Sequence, residues 1–145
     1  MNWDKFIEIF NNCEIFNNKI LIKDNLYNCI SFIKENYHYD ILKEIIAIHT
    51  PDNFVELNYH LYSSIDEENL YITYITDNSA ESVSKIFPSA IADENEIFDL
   101  FGINFLNNKN LKRLYMPENW QGHPLRKDYV QDKLGLREND SNNNT

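Results

Sequence analysis

Apolar residues recur along this chain in two different periods, and the switches between them mark out its elements. From Asn2 to about Cys13, the residues Trp3, Phe6, Ile7 and Phe10 share one face of a helix, with Asp4 and Glu8 in or near its first turns. The alternation from Ile15 to Lys23 predicts a strand with Asn17-Asn18 as a turn. Asp24 stands as the N-cap of a second helix, which carries the stripe Leu26, Cys29, Ile30 and Ile33 and ends near Tyr37. Ile41 to His49 is β-rich around Ile45, Ile46 and Ile48, and Thr50-Pro51-Asp52-Asn53 closes it.

Phe54 to Tyr62 and Leu70 to Thr76 alternate again across a polar turn, Ser63 to Asn69, that holds the consecutive acids Asp66, Glu67 and Glu68. These two strands read as a hairpin or as antiparallel neighbours. Ser79 to Phe87 predicts a short helix stopped by Pro88, and a further helix runs from near Ser89 to Phe101, ended by Gly102. The order of elements defines an α+β fold, a small mixed, largely antiparallel sheet covered by helices on one face.

Beyond Gly102 both periods vanish, although Trp, Tyr, Phe, Leu and Arg remain frequent. So long an irregular segment is unusual inside a compact domain, and one this apolar is a poor candidate for disorder. An extended arm ordered against another protein answers both objections. The chain divides accordingly into an α+β domain at 1–101 that folds by itself, a partner-binding arm at 102–131 and a polar, disordered tail at 132–145.

Charge sharpens this division. The net charge is −10, but residues 1–100 hold 6 Lys/Arg against 18 Asp/Glu, whereas residues 101–145 hold 7 against 5. An acidic body repels nucleic acid and anionic lipid, while a basic arm suits an acidic groove on a protein. Lys outnumbers Arg by 10 to 3, and all three arginines follow residue 112. That placement points to a need for planar, bidentate donors in the arm. Every apolar run is interrupted by Asp, Asn, Lys or Glu before it could span a membrane, and the first residues lack the pattern of a secretory signal. A soluble, intracellular protein is expected, with Cys13 and Cys29 reduced.

Candidate chemistry is sparse. Glu94, Glu96 and Asp99 invite an acid–base or metal reading, but a two-carboxylate site needs a cleft and a second element that no recognisable motif supplies. Charged helix faces with salt bridges to Arg113, Lys112 or a partner are far commoner than catalytic ones. His38, His49, His60 and His123 show no metal-ligand spacing, and the three glycines (Gly102, Gly122, Gly135) form no phosphate loop. The most specific string is Gly122-His123-Pro124-Leu125-Arg126-Lys127-Asp128-Tyr129. Pro124 stiffens the backbone and biases His123 towards extended geometry, Gly122 permits a positive φ, and Arg126, Lys127 and Tyr129 offer charged and aromatic anchors.

These motifs resemble those of the C subunit of respiratory complex I, the 30 kDa subunit of NADH:quinone oxidoreductase, with related chains in membrane-bound hydrogenases. The match runs through Asn58-Tyr-His-Leu-Tyr-Ser63, Ser82 to Ala90 and Glu94-x-Glu96-x-x-Asp99-x-Phe101-Gly102-Ile103-x-Phe105. It continues through Leu111-x-Arg113-Leu114 and is closest from Met116-Pro117-Glu118-x-Trp120 to Tyr129. The chain departs from the family pattern at Ala92 (usually Trp), Asn95 (usually Arg) and Asn107-Asn108-Lys109 (usually Gly-His-Pro).

The resemblance implies a component of the peripheral arm that binds no cofactor and has no catalytic site or metal. FMN, iron–sulfur clusters, NADH and quinone would belong to neighbouring chains. It implies an interface drawn from Glu94, Glu96, Asp99, Phe101, Gly102, Phe105, Arg113, Trp120 and Gly122 to Tyr129. The expected principal partner is the D subunit of complex I, which helps form the quinone pocket, with the B and I subunits as further neighbours. The expected location is the cytoplasmic face of a bacterial membrane. The equivalent component of an energy-converting hydrogenase or of a ferredoxin-fed relative is the alternative within the family, and a free-standing enzyme using the three acids is the alternative outside it.

Overall fold

The computed structural model describes residues 2–113 and 115–126. Two helices and five strands form the body: α1 (Asp4–Ile9), β1 (Cys13–Phe16), β2 (Lys19–Ile22), α2 (Leu26–Tyr37), β3 (Ile41–His49), β4 (Val55–Ser63) and β5 (Glu68–Thr76). A smaller unit comes next, with β6 (Ser79–Glu81), α3 (Ala90–Phe101) and β7 (Asn104–Leu106). The strands of the body lie in the order β1-β2-β5-β4-β3, with β2 parallel to β5 and every other pairing antiparallel. The mixed, largely antiparallel α+β fold is therefore as expected.

Alternation within the strands decides which face is buried. Ile20, Ile72, Tyr59 and Ile45 stand in one row across β2, β5, β4 and β3, and all four are buried with Phe6, Leu26, Ile30 and Ile33 of the helices. Their neighbours on the opposite parity, such as Tyr71, Ile75, Ile46 and Ile48, are exposed. The expected stripe of α2 is the buried one, Leu26, Cys29, Ile30 and Ile33. Both cysteines are free thiols, and burial pushes that of Cys29 up to about 12.

Three local expectations are corrected. The turn expected at Asn17-Asn18 is present, with Asn17 at a positive φ of 53°, but it divides the expected strand into the two strands of a β1–β2 hairpin that begins at Cys13. Asp24 does not cap α2: the N-cap is Asn25 in the left-handed region, and Asp24 instead accepts a hydrogen bond from Asn12. A free N–H of the first turn, that of Tyr27, is taken by Glu81 from β6.

Ser79 to Phe87 is the third correction, being not a helix but β6 followed by turns. β6 runs parallel to β7, pairing Ser79, Ala80 and Glu81 with Asn104, Phe105 and Leu106. Serines compete with helical hydrogen bonding here, since Ser82 Oγ accepts from the Ser84 N–H and Thr76 Oγ1 from the Ser79 N–H. The core consequently runs past residue 101, with Ile103 and Phe105 both fully buried.

A candidate partner interface at the end of α3

Helix α3 turns two carboxylates inward. Glu94 and Asp99 are both 0% exposed; Glu94 gathers donors from the segments before and after the helix, and Asp99 from the segment after it. Glu94 accepts from Ser82 Oγ at 2.6 Å, the Val83 N–H at 2.9 Å and Asn108 Nδ2 at 2.9 Å. All three donors are neutral. Burial holds the Glu94 carboxyl above the ordinary carboxylate range, with these hydrogen bonds working the other way.

Asp99 works through charge. One oxygen accepts from Arg113 Nε at 2.7 Å, and the other from the N–H groups of Tyr115 at 2.6 Å and Met116 at 3.0 Å. The remaining Arg113 donors reach backbone carbonyls: Nη1 that of Trp120, and Nη2 those of Asp99 at 3.0 Å and Gly122 at 2.6 Å. His123 Nδ1 lies 2.9 Å from the Asp99 carbonyl and 3.3 Å from Arg113 Nη2, and the shorter contact is made with the proton on Nδ1. The Leu125 N–H donates to the Leu100 carbonyl at 2.9 Å, and Arg126 Nη1 to that of Phe101 at 3.2 Å.

Gly102 makes this approach possible. Its φ of +78° ends the helix, its N–H returns to the Phe98 carbonyl, and a Cβ there would sit 2.6 Å from His123 Cδ2. The segment beyond α3 is irregular, as expected, apart from the short strand β7. It nevertheless folds back onto the helix instead of extending from it.

The sequence-derived interface residues thus separate into three groups. Glu94, Asp99, Gly102, Phe105 and Arg113 are occupied in holding this chain together, and Gly122 and His123 join them through the carbonyl and ring just described. Glu96, Phe101, Trp120, Pro124 and Arg126 are half-buried. Leu125, at 53% exposure, faces outward, as does Tyr115 at 65%. Lys127, Asp128 and Tyr129 lie outside the described residues, as does the tail at 132–145.

The expected bridge between α3 and Arg113 is formed through Asp99. Lys112 contributes its backbone N–H, to Asn95 Oδ1, and not its charge. Asn95 and Asn108, two of the departures from the family pattern, both bond across the base of the arm. Sequence reasoning missed the part played by Ser82 and Asn108 around Glu94, and missed Tyr115. The one available signal was a glutamate placed on the apolar side of α3.

Among the described residues, no group of three or more His, Cys, Asp or Glu could hold a metal ion, and no helix is long and apolar enough to cross a membrane.

The family model for the respiratory-chain NADH dehydrogenase 30 kDa subunit matches residues 20–134. The chain belongs to this family. Similar proteins include the NADH-quinone oxidoreductase C subunit of Citrifermentans bemidjiense, 28% identical over 134 residues that cover 87% of this chain and 83% of that protein. The C subunit of Moorella thermoacetica is 32% identical over 110 residues, covering 73% of this chain and 74% of that one. A longer relative, the NADH-quinone oxidoreductase C/D subunit of Phocaeicola vulgatus, is 30% identical over 109 residues, covering 72% of this chain. The aligned part spans 21% of that relative's length. The resemblance read from the motifs therefore holds at the level of the family.

Proposed function

We propose that this chain is a structural component, without an active site of its own, in the peripheral arm of a proton-translocating NADH:quinone oxidoreductase. It docks on the D subunit near the quinone site, with the B and I subunits as neighbours, at the cytoplasmic face of a bacterial membrane. Electrons pass from NADH through FMN and iron–sulfur clusters to quinone in the neighbouring chains, and this chain supports that path by holding them in place.

The observation that carries the reading is the exposed end of the arm. Leu125 and Tyr115 expose apolar surface on a segment that also carries Lys112 and Arg126, on a chain whose body is strongly acidic. Aromatic and Arg anchors of this kind concentrate binding energy at protein interfaces. A relative whose name joins C and D in one C/D subunit supports D as the principal partner.

The test is recovery of tagged full-length chain in mild detergent, with mass spectrometry of what accompanies it. A D-type subunit should co-purify with the wild type and be depleted by Arg126→Ala, with quinone-reductase activity falling in parallel. A desolvated charged pair lost at such an interface costs about 2–5 kcal/mol. Arg126→Lys should recover only part, because an ammonium cannot reproduce the planar fork. Recovery of the wild type without a D-type subunit, or full assembly by Arg126→Ala, would refute this docking mode.

A further inference from the structure

The last four carbonyls of a helix have no partner within it. In α3 those of Phe98, Asp99, Leu100 and Phe101 are all satisfied, and only the first by an adjacent residue, Gly102. The others take the side chains of Arg113, His123 and Arg126 and the backbone N–H of Leu125. Meanwhile the arm winds around Arg113, whose side chain is only 10% exposed and whose guanidinium bridges the Asp99 carboxylate to the carbonyls of Trp120 and Gly122. Every partner in this set belongs to the chain itself.

We propose that this clasp is a conformational lock, which sets residues 111–113 and 115–126 in their docking shape on the free protein, with Arg113 and His123 as its positioning residues. The purpose assigned to the lock rests on the docking reading above; its existence does not. Ordering so many backbone residues at the moment of association would offset much of the binding free energy. A hook already fastened to the end of α3 avoids that loss, so association becomes the meeting of two formed surfaces. Leu125 and Tyr115 are the side chains it displays, because their own N–H groups are tied to the helix while their side chains are exposed. The described part of the arm holds Lys109, Lys112, Arg113 and Arg126 against Glu118, a positive balance that suits an apolar recess rimmed by carboxylates.

Hydrogen exchange of the full chain, alone and without any partner, tests the lock directly. The amides of Tyr115, Met116 and Leu125 should exchange about tenfold or more slower than an unstructured chain. His123→Ala and Arg113→Lys should each release that protection while amides of β4 and β5 keep theirs. If Arg113→Lys unfolds the body, the β4 and β5 amides reveal it, and His123→Ala decides the matter. Free-chain rates at the unstructured level, or protection that appears only after a D-type subunit is added, would overturn the lock while leaving docking intact. Protection in a free chain that then captures no D-type subunit would support the lock and sink the docking reading.

Discussion

Asp99 and Arg113 stand 14 positions apart and meet at 2.7 Å, with the carboxylate fully buried and its second oxygen shared between two backbone N–H groups. The pair has both the short geometry and the additional donors that a buried ion pair needs to offset desolvation. Removing one partner strands the other. Asp99→Ala is expected to cost about 3–5 kcal/mol in urea unfolding of the full chain. Asp99→Asn should cost less, since one carbonyl oxygen can still accept from Arg113. A loss under about 1 kcal/mol for Asp99→Ala, the level of a surface pair, would show that the clasp contributes little.

Glu94 makes stability depend on pH with a sign opposite to that of a salt-bridged acid. Burial raises its pKa in the folded chain, and burial likewise raises that of the neighbouring Asp93, which accepts from the Ile45 N–H. The folded state therefore retains protons that the unfolded chain has released. Stability falls as pH rises from the ordinary carboxylate range through the folded pKa, and is level above it. Glu94→Gln removes this dependence and adds a fixed cost, because the amide nitrogen cannot accept from Val83. Wild-type stability relative to the variant should be greater near pH 5 than near pH 8, by chemical denaturation at each. A difference that is flat, or that grows with pH, would contradict the assignment.

Gly102→Ala combines two penalties. The left-handed backbone costs a side chain about 1–2 kcal/mol, and the new methyl would drive into the His123 ring. Thermal melting should show the loss, and hydrogen exchange at Leu125 should rise with it. Gly102→Asn should be milder in backbone terms, because Asn tolerates this region, yet it should displace His123 equally. Unchanged exchange at Leu125 in both variants would mean that His123 is not held against the helix end.

A chain ending at residue 101 loses β7, and with it the fully buried Ile103 and Phe105. Removing even one such aromatic side chain from a core costs about 3–5 kcal/mol. The shortened protein should melt far lower or without cooperativity. A sharp, unshifted transition for the 1–101 piece would show that the domain stands without β7 and the arm.

How much of this was legible depended on where each residue finds its partner. The stripe of α2, the β4–β5 pairing and the stop at Gly102 are written in local spacing, and each emerged from the sequence. Arg113 was legible as a partner of α3 because a charged helix face commonly finds an opposite charge nearby in the chain. β6 was not, because its strand character comes from Asn104 to Leu106 on the far side of α3. Asp24 looked like a cap, but Glu81 supplies the acceptor from a distant strand. The arm was correctly seen to lack a period, and the reason lies in its ligands. Its donors address the carbonyls at one helix end, a point in space with no repeat along the chain.

That arrangement also bears on the order in which the protein can be made. Arg126 closes onto a carbonyl 25 positions earlier, that of Phe101. During synthesis from the N-terminus, the final turn of α3 emerges with its carbonyls open to water and stays so until the arm has emerged as well. All five strands of the main sheet have emerged by Thr76, so their backbone pairings can form during that interval, before Ile103 and Phe105 complete the core. Completion of the helix is thus a late event in the life of the nascent chain, and it coincides with the appearance of the surface that a neighbouring protein would meet.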